Sequence, residues 1–396
     1  MNIKSLKIKN FKCFKEADID FRKITLLTGA NSSGKSSLIS VLLSIFQTDE
    51  FPFYLSPNGF LINLGNYRNM VNGYDIPKNI ELNIKIEIEN PHNWNFSTIW
   101  ENNNINGLPS LNSLEFSDSG YHFNAKKINS KYIIKDDNDN LYDNIEEVEI
   151  NFGENYLFTY NNGTADYPDF STVRIQDLFN FINSFRTNPQ RNYLQIPKAG
   201  KIQSNGAGFE NQLIEWEESN SPKILELVNI LTKIGLLVDI KTNKIGDGMF
   251  DIKIQTKENG LLSSLADVGY GVSKLLPIIV ADLQLPDNSL LAISEPELDL
   301  HPSIQANFAN YIFEQTKKGK QYIIETHSEY IINRLRLLIA KNELKENEVK
   351  TYFFSNDGRS TKTYSINLKK DGRIENAPKD FFDTYEIDIM DIAMLG

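Results

Sequence analysis

The sequence predicts an α/β fold: a mostly parallel sheet, antiparallel strands at the N-terminus, and an inserted region of strands and helices. Three observations predict it. A short apolar run, residues 24–28, leads straight into a glycine-rich loop and then a helical stretch. After Leu261, apolar runs of strand length alternate with helical stretches. At the start, Ile3, Leu6 and Ile8, then Ile19 and Phe21, are spaced as two half-buried strands of a hairpin. Strands alternating with helices call for parallel pairing and a sheet covered on both faces.

The elements follow in order. The helix after the glycine-rich loop carries Leu38, Ile39, Val41, Leu42 and Ile45 on its apolar side. In the C-terminal part, a helix over residues 271–283 leads to a strand at 290–293, and a helix at 303–317 leads to a strand at 322–324. A basic amphipathic helix at 329–341 and strands near 349–354 and 361–368 complete the run. The stretch from about residue 49 to 260 is irregular and rich in Asn. Within it, residues 81–89 and 146–152 alternate as strands, and 102–106 and 135–144 read as exposed loops. Residues 175–185, and 209–236 interrupted near Ser221-Pro222, read as helices. The chain thus divides into an N-terminal part with the glycine-rich loop (1–95), an insertion of strands then helices (96–235), and a C-terminal part (236–396). The insertion either carries partner specificity or simply covers the sheet.

With 396 residues, one large domain or two intimately packed ones is expected. No apolar run reaches the roughly 20 residues a bilayer requires, and the alternation of Lys with apolar residues at the start is unlike a signal peptide. A single cysteine, Cys13, excludes an internal disulfide, so a cytoplasmic protein without membrane contact is expected. The net charge of −11 argues against general coating of nucleic acid. Two basic clusters could still track a nucleic-acid backbone: Lys4, Lys7, Lys9, Lys12 and Lys15, and Arg334, Arg336 and Lys341. Each could equally be a solvated outer face.

Gly29-Ala30-Asn31-Ser32-Ser33-Gly34-Lys35-Ser36, followed by Ser37, matches the phosphate-loop pattern in its required context of strand before and helix after. Glycines let the backbone wrap a phosphate, successive N–H groups form an anion nest, and the helix start adds positive potential. Lys35 is expected to reach the β- and γ-phosphates of ATP, and Ser36 to ligate Mg²⁺. Hydrolysis also needs a group that orients water and one that senses the γ-phosphate. The strand at 290–293 ends in Ser294-Glu295-Pro296-Glu297-Leu298-Asp299-Leu300-His301-Pro302, and the next in Glu325-Thr326-His327-Ser328. Glu295 and His327 therefore fall at the sheet edge where open α/β folds bind ligands. The alternative for a histidine there is a cap on the following helix.

These segments, with residues 6–14, Leu300-His301-Pro302 and Thr326-His327-Ser328, resemble the ABC-type ATPases related to RecF, SMC and the OLD family. Residues 265–273 resemble the signature segment of stand-alone ATPase subunits of prokaryotic anti-phage defence systems of the Septu type, and residues 63–67, 333–336 and 381–383 also resemble segments of that group. The resemblance implies an ABC-type P-loop ATPase head that forms a head-to-tail homodimer, or a higher assembly, around ATP. Gly271 and Ser273 would contact the γ-phosphate of the partner subunit's nucleotide, Glu295 would act as base, and His327 as the switch histidine. Asp299 would lie in the segment crossing the interface. One position departs from the pattern: the residue before the catalytic acid, usually Asp or Glu, is Ser294. Weak Mg²⁺ affinity and slow turnover are expected from that loss of charge.

No zinc-ligand spacing and no HNH or Toprim nuclease centre is found; Asp388 and Asp391 sit in a short acidic tail, and His92 and His122 in Asn-rich surroundings. Any cutting would come from a separate effector, a nuclease. The alternatives are a RecF-like DNA-repair ATPase on duplex DNA, or a nucleotide-held scaffold with little turnover.

Overall fold

The computed structural model describes residues 1–48, 51–88, 93–118, 121–128, 131–136, 141–145, 156–160, 163–166, 175–378 and 381. The chain opens with the hairpin β1 (Asn2–Phe11) and β2 (Phe14–Asp20), then β3 (Ile24–Gly29), α1 (Lys35–Phe46) and the short α2 (Tyr67–Met70). Six antiparallel strands follow: β4 (Ile80–Glu87), β5 (Asn93–Asn102), β6 (Pro109–Asp118), β7 (Tyr121–Ile128), β8 (Lys131–Asp136) and β9 (Leu141–Ile145). A small hairpin, β10 (Tyr156–Tyr160) and β11 (Gly163–Asp166), precedes β12 (Phe179–Ile182) and β13 (Tyr193–Leu194). Next come α3 (Phe209–Glu218), α4 (Pro222–Ile234), β14 (Asp239–Gly246), β15 (Met249–Gln255) and β16 (Ser263–Ser264). The last part holds α5 (Tyr270–Gln284), β17 (Leu290–Ser294), α6 (Pro302–Thr316), β18 (Gln321–Glu325), α7 (Glu329–Ala340), β19 (Val349–Asn356), β20 (Thr361–Leu368) and β21 (Ile374–Glu375).

The central sheet has the order β12-β17-β18-β3-β19-β20-β21. Pairing is parallel from β12 to β19 and antiparallel from β19 to β21. Every residue of β3, β17 and β18 is buried, because alternate side chains feed different cores. Leu290 and Ala292 join the core shared with α1 and the antiparallel sheet. Leu291 and Ile293 join the core built with the helices of the other layer. That two-sided burial explains the unbroken apolar runs. The expected α/β fold, with its mostly parallel sheet, is the one observed.

The second sheet runs β2-β1-β4-β5-β6-β7-β8-β9 and is antiparallel throughout. It corrects the reading of the Asn-rich middle as irregular. In β5, Trp94, Phe96, Thr98 and Trp100 face the core. On the opposite face, Asn83 donates to Asn95 Oδ1 (3.0 Å) and to Ser97 Oγ (2.6 Å) across neighbouring strands. Asn83 and Asn95 thus ladder strands together, while residues 104–106 form the exposed turn expected at 102–106. Residues 135–144, by contrast, are not one loop: β8 and β9 occupy both ends, and 137–140 lie outside the described residues. The strand read at 146–152 and the acidic tail with Asp388 and Asp391 also lie outside them.

The helix read at 175–185 is a correction too. Residues 175–178 form one 3₁₀ turn, and β12 pairs in parallel with β17. The interrupted helix at 209–236 is observed as α3 and α4, with Ser221 as N-cap and Pro222 at the first helical position. Among the described residues, no helix is long and apolar enough to cross a membrane.

At the end of the sheet away from the strand-end loops lies a buried polar group. Asp282 of α5 is fully buried and paired with Lys320, which is 4% exposed. Tyr322 donates to the same carboxylate at 3.0 Å, and Tyr311 of α6 donates as well. Burial beside Asp282 pushes both phenols well above their ordinary range, so they remain donors. Removing one partner strands a charge in the core. Asp282→Ala should therefore lower unfolding free energy by about 3–5 kcal/mol in urea titration; a loss under about 1 kcal/mol would contradict this account.

Candidate functional site

Because β3, β18, β17 and β12 run parallel, their C-terminal ends lie side by side. The loops that follow them form one edge. The loop after β3 wraps tightly. Gly29 has φ +133°, and a Cβ there would come 2.3 Å from the Phe354 carbonyl oxygen. Gly34 has φ +111°, and its Cβ would meet Thr361 Oγ1 at 2.7 Å and Cys13 Sγ at 2.9 Å. Both positions need glycine for conformation and for space. Thr361 fixes the loop from outside: its hydroxyl donates to the Ser33 carbonyl (2.8 Å), and its N–H to the Cys13 carbonyl (2.8 Å).

Lys35 is only 3% exposed and donates to the carbonyls of Gly29 (3.0 Å) and Ala30 (2.9 Å). Burial lowers its pKa, while Glu325, Glu295 and Glu297 oppose the shift. Beside it, Ser36 Oγ donates to Glu325 Oε1 (2.8 Å), and Ser294 Oγ donates to Glu325 Oε2 (2.9 Å). One carboxylate from β18 thus joins the phosphate loop to the end of β17.

Glu295 has a left-handed backbone, φ +48°, and its N–H donates to the Glu325 carbonyl (2.7 Å). Its own carbonyl accepts from Arg186 Nη2 (2.5 Å). Arg186, four residues past the end of β12, is 4% exposed. Its Nε and Nη1 have no hydrogen-bond partner among the described residues. Burial pushes the guanidinium down to about 10 although Glu297, Glu295 and Asp299 favour the charge, so it stays protonated at neutral pH. Lys274 of α5 donates to the Arg186 carbonyl (2.7 Å).

Asn31, Ser32, Ser33, Gly34, Lys35, Ser36, Ser37, Glu295 and Asp299 line one cleft of about 840 Å³, together with Arg186, Lys274 and Glu325. Gly29, His327, Gly271 and Ser273 lie outside its lining. Gly271 packs against the Asp299 carbonyl, 2.8 Å from where its Cβ would be, which brings the start of α5 to the cleft rim. Ser273 is buried, its hydroxyl donated to the Tyr270 carbonyl (2.8 Å). His301 caps α6, accepting from the Ser303 N–H at 3.3 Å.

The His327 ring is exposed and has no hydrogen-bond partner among the described residues, while its backbone N–H donates to Glu297 Oε1 (2.6 Å). Thr326 Oγ1 donates to Glu297 Oε2 (2.9 Å). Glu297 therefore ties the loop after β17 to the loop after β18. Desolvation, then the charge of Lys35, lower the pKa of His327 against the pull of Glu295 and Glu325. The imidazole is neutral at neutral pH and able to accept or donate one hydrogen bond.

A nucleotide fits this donor set. Among the described residues, Ser33 Oγ is buried without a partner, as are two Arg186 nitrogens, in a cleft that also holds the loop N–H groups and Lys35. Mg²⁺ fits as well. Among the described residues, no three His, Cys, Asp or Glu side chains form a cage for a metal. A phosphate-bound Mg²⁺ needs none, since one hydroxyl and a nearby acid complete its shell beside phosphate oxygens and water.

The sequence leaves Glu325, Lys274 and Glu297 without assigned roles and has the stretch from Arg186 to Gly208 approach either the nucleotide or a partner; Arg186 lines the cleft. The signal for Glu325 was its position at the end of an apolar strand, the same signal that pointed to Glu295. If Lys35 holds the His327 imidazole neutral, Lys35→Ala should raise its NMR titration midpoint. An unmoved midpoint would show that the two groups do not interact.

The comparisons agree with this geometry. A family model described as an AAA ATPase domain matches residues 1–332, and one described as a protein of unknown function (DUF3696) matches residues 344–392. No curated protein sequence matches the chain. Among solved structures, an SMC head bound to the C-winged helix domain of ScpA is similar in fold. Its TM-score is 0.50 at 12% identity, covering 93% of this chain and 99% of that one. An SMC head domain from Thermotoga maritima gives a TM-score of 0.42 at 12% identity, covering 93% and 100%. One with an extended coiled coil, from the Pyrococcus furiosus complex with the ScpA C-terminal domain, gives 0.46 at 11% identity, covering 99% of each chain. A phosphate loop on β3, acids at adjacent strand ends and a family match over residues 1–332 lead to one conclusion: the chain belongs to the AAA ATPase domain family, with a fold similar to that of an SMC head.

Proposed function

We propose that this ATPase works as a head-to-tail homodimer that ATP closes, and that the closed dimer restrains a separate nuclease effector in bacterial anti-phage defence. The observation that carries the ATP-driven part is the line Lys35, Ser36, Glu325, Ser294 and Glu295 across three adjacent strand ends. In this reading residues 29–37 cradle the phosphates, Lys35 leaves its loop carbonyls for the β- and γ-phosphates, and Ser36 holds Mg²⁺. Bound Mg²⁺ supplies positive charge that offsets the charge of the phosphates. Glu295 orients the attacking water, and the neutral imidazole of His327 hydrogen-bonds the γ-phosphate.

The dimer reading is supported by the signature segment. Tyr270, at the start of α5, is 60% exposed, and Asp299 beside Gly271 is exposed at the cleft rim. An open helix N-terminus suits a phosphate brought by a second copy. For Ser273 to reach that phosphate, its hydroxyl must release the Tyr270 carbonyl. The similar SMC head is bound to a winged-helix domain of another protein; a separate effector on this head is the corresponding proposal, with residues 96–235 as the insertion that sets partner choice. The defence role follows from the resemblance of residues 265–273 to stand-alone defence ATPases.

Direct DNA binding is less well supported. Lys7 pairs with Asp18 (2.9 Å), Lys9 with Glu81 (2.7 Å), and Lys4 with Glu87. Three cations of the N-terminal cluster are thereby matched by acids. Arg336 is tied to the Gly372 carbonyl (2.7 Å).

Steady-state hydrolysis with Mg²⁺ tests the assignment of the base. Glu295→Gln should lose about 10²-fold or more in turnover and elute as an ATP-dependent dimer. A Glu295→Gln protein that hydrolyses ATP at the wild-type rate would remove Glu295 from its role. Wild type that binds ATP tightly without turnover would make the protein a nucleotide-held scaffold.

A further inference from the structure

We propose that Glu325, at the end of β18, is the acid that completes the Mg²⁺ site, and that Ser294 is a serine because Glu325 is there. The inference deepens the ATPase reading and rests on it.

First, strand order. β18 lies between the phosphate-loop strand β3 and the strand β17 that carries Glu295. An acid at the end of β18 is thus one strand nearer to Ser36 than residue 294 is. The parallel register sets Ser294 directly beside Glu325.

Second, direction of donation. Ser36 Oγ gives its hydrogen to Glu325 Oε1 at 2.8 Å. A hydroxyl that donates its hydrogen to a carboxylate keeps its oxygen lone pairs for a cation, and the carboxylate makes that oxygen a better ligand. Ser294 gives its hydrogen to the other oxygen, Oε2, at 2.9 Å. Both oxygens are held, so the carboxylate has a fixed orientation.

Third, charge. Glu325 is 5% exposed and Ser294 is 7% exposed. Two carboxylates at such a separation would repel, and one would take up a proton. A hydroxyl at 294 removes the repulsion and adds a donor. The site therefore keeps one negative charge beside the cation and moves it to a different strand. This removes the premise for weak Mg²⁺ affinity, which rested on Ser294 bringing no charge.

The test uses Mn²⁺ as the probe, followed by electron paramagnetic resonance in the full-length protein with a slowly hydrolysed ATP analogue. Wild type is compared with Glu325→Gln, Ser294→Ala and the exchange variant Ser294→Asp/Glu325→Gln. Nucleotide binding without metal should be similar in all four. Mn²⁺ affinity of the nucleotide complex should fall about 10- to 100-fold in Glu325→Gln, fall in the same direction in Ser294→Ala, and recover in the exchange variant. Wild-type Mn²⁺ affinity in both single variants, with only their melting temperatures lowered, would overturn the proposal and leave Glu325 as a brace between strand ends. If wild type itself bound no nucleotide, the ATPase reading would fall with it. If wild type bound nucleotide and Mn²⁺ while Glu325→Gln matched it, only this proposal would fall.

Discussion

Parallel pairing of β3, β18 and β17, with every residue of these strands buried, is the constraint on which the rest depends. Buried on both faces, these strands cannot slip by a residue without exchanging the two cores. Register is therefore fixed, and with it the position of whatever follows each strand. Ser294 and Glu325 meet because their strands are locked, and the phosphate loop meets Glu325 for the same reason. The cleft is a consequence of core packing.

That constraint also accounts for how the strand-end loops hold together. Glu297 reaches from one loop to the backbone of His327 and the hydroxyl of Thr326 in the next. Ser328 then caps α7 while donating to Gln305, which in turn donates to the Leu300 carbonyl. The loops carrying Glu295 and His327 are thus tied to each other and to the starts of two helices. Arg186 enters from a third strand end and closes the group over the Glu295 carbonyl. Movement of any one loop must be shared with the others, which suits the proposed closing of two copies around ATP.

Much of this was legible in the sequence, because the phosphate loop, the apolar runs at 290–293 and 322–324, and the helices between them are local signals. What failed had a non-local cause. Ile175, Leu178, Phe179 and Ile182 stand at helical spacing, yet Phe179–Ile182 is a strand because pairing with β17 overrides local periodicity. The Asn-rich stretch 135–144 reads as a loop, yet both of its ends belong to strands β8 and β9 that pair with each other. The replacement for the missing acid was hidden in the same way. Ser294 and Glu325 are 31 residues apart in the chain and become neighbours only in the register of two strands. Reading residue 294 alone shows a lost charge; reading the sheet shows a relocated one.

The central claim is that this fold binds ATP at the end of its parallel sheet and pairs with a second copy around it. Isothermal titration of the wild-type protein with ATP and Mg²⁺, with mass measured by light scattering before and after, tests it most directly. The account predicts one ATP bound per chain and a doubling of mass at saturation. No heat of binding, with the mass unchanged, would contradict it.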